Sequence, residues 1–338
     1  MLVDDLCMAG LLRRAYFLWD DRATATPEGR ALEDQGVTKF YGLARKRMAW
    51  DLFTDSVAFR SDRWLCTHVN YALLGWLSAW GRRAQVGVLL HAAELDENFT
   101  ALKRFALRRA GVVLAVSEFT KKKAERLGVG NVHVLPNGVD DPCSGYTAPE
   151  SAGDEQRILF VGRMDEHYKG QTELLDAMVM LHRRHPRLRL TFVGGGKSLG
   201  DWQTEARRKG VESVVRFAGR VSAAELNQLY ATATVFAMPS ENEGFGLVYA
   251  EAMAHGVPCI GSERDAAREV IAHGVTGLCV PARNATALAD AIQTITQAPA
   301  LAREMGRNGR RRFLEHFSRE RYRARVLEFM HSWLPAST

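Results

Sequence analysis

The segment SENEGFGLVYAEAMAHGVP at 240–258 carries the densest set of residues that could do chemistry. Two carboxylates, Glu243 and Glu251, stand eight positions apart, and Gly244 and Gly246 follow the first of them. An apolar run precedes the segment and a helical pattern follows it. We therefore expect it at the carboxyl end of a parallel strand, where ligands of α/β sheets bind.

The two glycines would let the backbone approach a ligand, and the start of the next helix would offer unpaired N–H groups to a phosphate. Glu251, one or two turns into that helix, could accept hydrogen bonds from a ribose diol. Glu243 could accept hydrogen bonds from sugar hydroxyls. The alternative is that Glu251 is a solvated helix residue and that the glycines only shape a turn. The strand before the carboxylates and the glycines between them favour a ligand site.

Two cations take a similar position earlier in the chain, in VGRMDEHYKG at 161–170. Arg163 directly follows an apolar run, and Lys169 precedes Gly170 at the start of a predicted helix. Arginine binds phosphate through its planar fork and lysine binds it as a point charge. The pair could clamp a diphosphate and stabilise its departure without a metal. Two exposed loop cations are the alternative.

A histidine, His91, ends another apolar run, with Glu94 close by. It could donate a hydrogen bond to a substrate oxygen, although a lone histidine is more often structural. The segment LPNGVD at 135–140 predicts a turn in which Asn137 and Gly138 adopt positive φ. The sequence has no Walker A motif, no H-E-x-x-H motif and no cluster of His and Cys at ligand spacing, so no metal site is predicted.

Short apolar runs alternate with helical patterns along most of the chain, which predicts βαβ units and parallel sheets. In the first half, strands are predicted at 64–67, 86–90, 112–116 and 132–135, and Ser117 is the predicted N-cap of the helix between the last two. In the second half, strands are predicted at 157–162, 188–195, 214–219, 235–239 and 257–261, with helices beginning at Gln171, Leu199, Ala223 and Gly246.

A segment rich in Pro, Gly, Ser and acidic residues interrupts this alternation at 140–155. It divides the chain into an N-terminal domain over 1–140, a linker over 141–156 and a C-terminal domain over 157–317. The basic helical tail at 318–334 has one apolar face, which predicts packing back on the N-terminal domain; that face contains Tyr322, Val326, Leu327 and Met330. Contact with a membrane or nucleic acid is the alternative for this tail.

The composition is that of a globular chain: 338 residues, 46% hydrophobic, 25% charged, with a formal net charge of +6. It excludes the disordered, collagen-like and disulfide-rich classes, and the charge fits an anionic ligand or surface. Five cysteines without a CxxC pair favour reduced thiols. No apolar run reaches the roughly 18 residues of a membrane span, and the start MLVDDLCMAG has no secretory pattern. We therefore predict a cytoplasmic protein that does not bind nucleic acid.

Taken in order, VGRMDEHYKG, FAGRV at 217–221 and the segment at 240–260 resemble the retaining glycosyltransferases of the GT-B fold, the group 1 or family 4-like enzymes with an E-x7-E motif. The earlier segments AVSEFT at 115–120 and VHVLPNGVD at 132–140 are similar to the first domain of that family. The resemblance covers about 64–317. It implies an α/β GT-B architecture, in which two Rossmann-like, doubly wound parallel-sheet domains face a cleft.

The resemblance also implies a role for each matching residue. Next to Gly162, Arg163 and Lys169 would hold the donor diphosphate. Glu243 would hold the donor sugar, together with Gly244 and the backbone N–H groups near Phe245 and Gly246. The remaining donor contacts would be the Leu247 N–H to a phosphate, Glu251 to the ribose and Val221 near the base. His91 would lie across the cleft, beside the transferring sugar. Such enzymes keep the anomeric configuration and need no metal or other cofactor.

Two features depart from the family pattern. Members open with a strand and a glycine-rich loop, whereas this chain begins in what matches the helix after that loop, and YFLWDDR at 16–22 fits the second strand. The N-terminal domain is therefore predicted to lack its first strand. In addition, Ala92 follows His91, where relatives usually carry Gly or Asp.

These observations predict a hexosyltransferase that uses GDP-mannose or a UDP-sugar. The segments at 68–77 and 89–95 indicate bacterial exopolysaccharide assembly, with a saccharide or a polyprenyl-diphosphate-linked saccharide as acceptor. The alternative is a nucleotide-sugar-binding protein that lost transfer activity with its first strand.

Contact with the inner membrane face is a further expectation, because the segments 40–53 and 76–83 are both basic and aromatic. If these segments rest on anionic lipid, replacing Arg45, Lys46 and Arg47 with Glu should weaken binding to vesicles. The alternative is an ordinary amphipathic helix packed on the sheet.

Overall fold

The computed structural model describes residues 15–17, 38–40, 63–79, 85–96, 99–143, 155–165 and 167–333. The strands within them are β1 (Ala15–Phe17), β2 (Thr38–Phe40), β3 (Arg63–Cys66), β4 (Gln85–Leu90), β5 (Val112–Ala115), β6 (Val132–Val134), β7 (Gln156–Val161), β8 (Leu188–Val193), β9 (Val215–Gly219), β10 (Val235–Met238), β11 (Cys259–Ser262) and β12 (Gly277–Val280).

The α-helices of the described residues connect these strands and complete the chain. They are α1 (Ala72–Ala79), α2 (Ala101–Arg108), α3 (Glu118–Arg126), α4 (Gln171–Leu181), α5 (Leu199–Arg208), α6 (Ala223–Ala231), α7 (Leu247–Ala254), α8 (Ala267–Val270), α9 (Ala285–Gln297), α10 (Pro299–Arg312) and α11 (Arg319–Trp333).

The described strands form three sheets, and every pairing in them is parallel. The strand orders are β1-β2, β3-β4-β5-β6 and β12-β11-β10-β7-β8-β9. Strands β5 and β10 are buried at every position, as expected of parallel strands that helices cover on both faces. The predicted α/β class with parallel sheets is therefore confirmed. The prediction missed β2, where TKF has two polar residues in three, and β12, where GLCV begins with a glycine.

Hydroxyl side chains begin several of the helices. The Ser117 hydroxyl accepts a hydrogen bond from the Thr120 N–H, as predicted for the N-cap of α3. Thr100 and Ser222 cap α2 and α6 in the same way. Each such cap satisfies one of the N–H groups that a helix start leaves without an intrahelical partner.

The last helix, α11, lies against the four-stranded sheet. The Arg63 guanidinium donates to the Trp333 carbonyl at 3.1 Å, and Val139 forms a parallel bridge with Ser318. The prediction of positive φ at Asn137 and Gly138 is wrong, because the described residues with positive φ do not include either of them. Gly138 serves close packing instead, since a Cβ there would lie 2.5 Å from Tyr322 Cβ.

Several predictions fall on parts of the chain outside the described residues. These are the loss of a first strand, which concerns residues 1–14, the basic residues Arg45, Lys46 and Arg47, and the linker residues 144–154. The domain boundaries stay a prediction. At the start of the linker, Asp141 pairs with both terminal nitrogens of Arg310 on α10, at 2.6 and 2.7 Å. In the described part of the chain, no helix has the length and apolar character needed to cross a membrane.

Candidate active site

The candidate site lies where the strand order of the six-stranded sheet reverses, between β7 and β10. From β7 the chain continues to β8 and β9 on one side, and from β10 it continues to β11 and β12 on the other. The connections after β7 and β10 therefore cross to opposite sides, and the crevice at the carboxyl edge between these two strands is where ligands of open α/β sheets bind. The loop 162–170 carries the predicted cations, and the loop 239–246 carries the first predicted carboxylate.

The two loops meet in an ion pair. Lys169 Nζ lies 3.1 Å from Glu243 Oε2, and the two side chains are only 15% and 18% exposed. The other oxygen of the carboxylate, Oε1, accepts the Gly246 N–H at 3.2 Å. The structure thus joins one cation of the first motif to the first carboxylate of the second, although the two are 74 positions apart in the sequence.

Glycines allow this close approach of the loops. A Cβ at Gly162 would lie 3.1 Å from Lys169 Cδ, so the lysine stem runs along bare backbone. Gly170 has a φ of 90°, and a Cβ there would lie 2.5 Å from Pro239 Cγ. A side chain at Gly170 would therefore be strained in its backbone and would collide with the loop after β10.

Two further predicted residues follow strands of the six-stranded sheet: Arg163 follows β7 and Val221 follows β9. The Arg163 side chain is exposed at the end of β7, and its carbonyl accepts a hydrogen bond from the Gln171 side chain at 3.3 Å. Gln171 is fully buried at the start of α4 and was not singled out from the sequence. Val221 is half-buried beyond the end of β9, in the loop that the prediction placed near a base.

The glycine-flanked segment leads directly into α7. Gly246 has a φ of 86° in the N-cap position, and Leu247, which is 42% exposed, begins the helix. Phe245 between the glycines is 5% exposed and packs edge-on against Phe317, with 5.8 Å between the ring centroids. The buried phenylalanine fixes this segment to the protein, while the helix start remains accessible to an anion.

Glu251 is held by a tyrosine that the sequence analysis did not identify. The hydroxyl of Tyr230, a fully buried residue on α6, donates to Glu251 Oε2 at 2.8 Å. The Tyr230 ring also stacks on His255, with 5.2 Å between the centroids. Burial raises the pKa of the Glu251 carboxyl, and the hydrogen bond from Tyr230 opposes that shift. No sequence motif marks Tyr230, because its partner lies on a different helix.

A buried carboxylate, Asp265, shapes the loop after β10 and was also missed. Its Oδ2 accepts the Ser240 hydroxyl at 2.5 Å and the Glu243 N–H at 2.9 Å, and its Oδ1 accepts the Ala267 N–H at 2.9 Å. The side chain is 1% exposed, and burial raises the pKa of Asp265 to about 6 despite these donors. Asp265 therefore fixes the backbone on which Glu243 stands.

His91 extends from the end of β4 in the four-stranded sheet. Its backbone N–H donates to Glu94 Oε1 at 2.7 Å, and its ring Nε2 lies 3.0 Å from the Thr67 carbonyl oxygen. A carbonyl oxygen only accepts, so Nε2 donates this hydrogen bond. The predicted hydrogen bond from His91 to a substrate oxygen stays a prediction. The ring of His68 stacks beside it, with 6.4 Å between the centroids, and burial lowers the pKa of His68.

The loops of the two sheets touch at Ala92 and Gly244. Ala92 is fully buried with φ 80° and ψ −48°, a conformation that costs a residue with a side chain on the order of 1 kcal/mol or more. A glycine would adopt this conformation at a lower cost. A Cβ at Gly244 would collide with the His91 carbonyl oxygen, so the glycine lets the sugar-side loop reach the loop after β4.

The described residues thus bring Lys169, Glu243, Gly244, Gly246 and the backbone of His91 together directly, whereas Glu251 joins through α7 and Arg163 through the end of β7. Among them, no group of three or more His, Cys, Asp or Glu side chains is arranged to hold a metal ion. The absence of a metal or other cofactor from the reaction stays a prediction.

Two family models match the chain. The model for "Glycosyl transferases group 1" matches residues 147–312, and the model for "Glycosyltransferase Family 4" matches residues 24–141. The GDP-mannose-dependent alpha-(1-6)-phosphatidylinositol monomannoside mannosyltransferase of Mycolicibacterium smegmatis is 32% identical over 288 residues, which are 79% of this chain and 75% of that protein. The glycogen synthase of Mycobacterium tuberculosis is 27% identical over 291 residues, 82% of this chain and 69% of that protein.

Solved structures share the fold. The Anabaena protein HepE in complex with UDP superposes with a TM-score of 0.79 and 22% identity, covering 97% of this chain and 96% of that chain. A glycosyltransferase from Rickettsia africae gives a TM-score of 0.80 with 18% identity, covering 99% and 94%. The predicted GT-B architecture, with two parallel-sheet α/β domains, is confirmed.

The chain belongs to the group 1, family 4-like glycosyltransferases. Membership confirms the predicted enzyme, a hexosyltransferase within the glycosyltransferase class, and the predicted use of a nucleotide sugar at that general level.

The buried carboxyl of Asp265 makes stability depend on pH. Its folded pKa of about 6 exceeds the ordinary value, so its contribution to the free energy of unfolding is fully present below about pH 4 and is lost as the pH rises through about 6. Asp265→Asn removes this titration. We expect the stability of wild type relative to Asp265→Asn to fall between pH 4 and 7 by on the order of 2 kcal/mol.

Urea unfolding at fixed ionic strength measures this difference. Asp201→Asn, on the exposed surface of α5, is the matched control and should give no comparable slope. A stability difference between wild type and Asp265→Asn that does not change with pH would contradict the assignment.

Proposed function

We propose that the chain is a retaining glycosyltransferase that moves a hexose from GDP-mannose or a UDP-sugar to a saccharide or a lipid-linked saccharide. The observation that carries this proposal is the Lys169–Glu243 ion pair at the crevice between β7 and β10. In this proposal the cation binds phosphate and the carboxylate beside it accepts from sugar hydroxyls, so the pair complements the two parts of a sugar diphosphate.

In this proposal Arg163 and Lys169 hold the diphosphate and neutralise the charge that builds on it as the bond to the sugar breaks. The Leu247 N–H and the positive end of α7 meet a phosphate oxygen. Glu251, oriented by Tyr230, accepts from the ribose hydroxyls, and Val221 lies beside the base. These contacts do not require a metal, because cations and helix dipole supply the positive charge.

A second set of groups holds the sugar, on the side away from the diphosphate. Glu243 and the Phe245 N–H bind sugar hydroxyls, and His91 lies across the cleft beside the sugar. The acceptor attacks the face that the diphosphate leaves, and the departing phosphate takes the acceptor proton, so the anomeric configuration is kept. Glu243 and Glu251 are binding groups in this scheme, and they do not act as the nucleophile and acid/base pair of a hydrolase.

A donor panel tests the proposal. The names of the relatives point to different donors: the mycobacterial mannosyltransferase is GDP-mannose-dependent, and HepE was crystallised with UDP-glucose as well as with UDP. Release of GDP or UDP should be measured with GDP-mannose, UDP-glucose and other UDP-sugars. The acceptors offered should include polyprenyl-diphosphate-linked saccharides, as used in exopolysaccharide assembly. Tight donor binding without transfer to any acceptor would identify a binding protein without transfer activity.

Removing either member of the ion pair should cut turnover. We expect Lys169→Ala and Glu243→Ala each to lower kcat/KM by about tenfold or more, because each loses an interaction with the diphosphate or the sugar as charge develops. Circular dichroism should be unchanged. Lys209→Ala is the matched control. Lys209 is 14% exposed and pairs with Asp176, but it stands at the C-terminal end of α5, away from the crevice. Wild-type turnover in either site variant would contradict the roles assigned.

Tyr230 should control the pH dependence of donor binding. Tyr230→Phe removes the hydrogen bond that opposes the burial of Glu251, so the pKa of Glu251 should rise further. We expect the acid limb of the donor-affinity profile to move to higher pH. Tyr249→Phe is the control, since Tyr249 is also fully buried but donates to the Met238 carbonyl at 2.5 Å. Identical profiles for Tyr230→Phe and wild type would contradict the ribose role.

We also propose peripheral contact with anionic lipid at the inner membrane face, through an exposed apolar surface on α1 and α2. Leu77, Leu102 and Phe105 are 45%, 54% and 40% exposed, and Trp76 packs edge-on against Phe105 at 5.5 Å. Exposed cations border these side chains on α2 or just beyond it; they are Arg104, Arg108 and Arg109. Aromatic and apolar groups ringed by arginine suit a negatively charged bilayer surface.

Vesicle co-sedimentation tests this contact. Arg104→Glu combined with Arg109→Glu should weaken binding to phosphatidylglycerol-containing vesicles by tenfold or more, since each cation near the surface contributes about 1 kcal/mol. Leu102→Ser should weaken it further. Val179→Ser on α4, which removes a 40% exposed apolar side chain elsewhere, should have no effect. Unchanged co-sedimentation of the double variant Arg104→Glu, Arg109→Glu would contradict the membrane proposal.

A further inference from the structure

The motif AVSEFT at 115–120 has a contact that its helix-capping role does not explain. The Ser117 hydroxyl donates to the Gly244 carbonyl oxygen at 2.6 Å, and the Thr120 hydroxyl donates to the same oxygen at 3.2 Å. Both side chains are buried, at 1% and 0% exposure. They come from the first turn of α3, beside the four-stranded sheet, whereas Gly244 stands in the loop after β10 of the other sheet.

A second contact joins the same turn to α8, the short helix that follows β11 of the six-stranded sheet. The carboxylate of Glu269 on α8 accepts the backbone N–H groups of Glu118 and Phe119, each at 2.7 Å. A carboxylate at a helix start is favoured by the helix dipole and by the unpaired N–H groups there. The first turn of α3 is thus fixed both to Gly244 and to α8, so its position relative to the loop is well determined.

The two hydroxyls act on the peptide group that links Gly244 to Phe245. A peptide unit is planar and trans, so the carbonyl of residue 244 and the N–H of residue 245 point in opposite directions. Holding the carbonyl oxygen toward α3 therefore turns the Phe245 N–H away from α3. The neighbouring Gly246 N–H is donated to Glu243, so the Phe245 N–H rather than the Gly246 N–H is the donor offered to the sugar at this end of the loop.

We propose that Ser117 and Thr120, here named the hydroxyl clamp, are positioning residues for the transfer reaction. They hold the Gly244–Phe245 peptide in the orientation that presents its N–H to the donor sugar. Gly244 permits this arrangement, because it has no side chain to collide with the His91 carbonyl on the other side. This inference rests on the proposed role of the 243–246 loop in binding the sugar.

Thr120→Val tests the clamp, since it replaces the hydroxyl with a methyl group of similar size. Ser117→Gly complements it, because glycine still tolerates the N-cap position while removing the hydroxyl. We expect each variant to lower kcat/KM for the donor that the panel identifies by about fivefold, and the double variant by tenfold or more. The dissociation constants of UDP and GDP alone should stay within twofold of wild type, because the clamp does not touch the diphosphate or ribose contacts.

Two controls separate positioning from a general loss of structure. Thr120→Ser keeps the hydroxyl and should retain activity within about threefold. Thr100→Val removes the cap of α2, which does not contact the loop, and should behave as wild type. Wild-type kcat/KM in the double variant would overturn the proposal, as would equal losses in Thr120→Ser and Thr120→Val.

Hydrogen exchange of the peptide covering 243–247 gives a readout that does not depend on activity. Faster exchange in Thr120→Val than in Thr120→Ser supports the clamp, and equal exchange rates overturn it. If wild type itself transfers no sugar to any acceptor, the proposed function fails, while the exchange experiment still decides whether the hydroxyls hold the loop.

Discussion

The adjacency of β7 and β10 is the constraint on which the site depends. Parallel strands must return to the same edge by crossover helices, so only the pair at which the sheet reverses can send its two following loops apart. One loop carries a cation and the other a carboxylate, and each would be costly to bury alone. In the Lys169–Glu243 pair, at 3.1 Å, each charge offsets the free-energy cost of burying the other. The pair also leaves a polar surface of mixed charge at the crevice. The opposite charges also favour the close packing of the two loops.

Buried polar residues give the crevice its fixed shape. Asp265 accepts three hydrogen bonds from the backbone and side chains around the Glu243 loop, and Tyr230 donates to Glu251 from the core. A buried polar group without a hydrogen-bond partner costs free energy, so the arrangement that satisfies every group of the network is favoured over the others. This is how a site built largely on loops can be held as precisely as one built on helices or strands.

The sequence identified the charged residues of the crevice better than the residues that support them. Glu243 and Lys169 stand next to glycines after predicted strands, and this local pattern can be recognised in the sequence alone. Asp265 and Tyr230 were missed because their partners lie on other elements and neither belongs to a short motif. Gly138 was interpreted as a turn residue, whereas its role is close packing against Tyr322 on α11. The sequence alone does not distinguish these two roles of a glycine. Strands within apolar runs were predicted, even the three-residue β6, whereas β2 and β12 were missed because TKF is mostly polar and GLCV begins with a glycine.

The contacts between α3 and the loops of the six-stranded sheet order these loops. Neutral hydrogen bonds such as those of Ser117 and Thr120 contribute about 1 kcal/mol each, and those to the Glu269 carboxylate contribute about 1.5 kcal/mol or more. Lys123, also on α3, donates to the Asn242 side chain at 2.9 Å and so joins the helix to the same loop once more. The joined arrangement therefore fixes the direction of the Phe245 N–H.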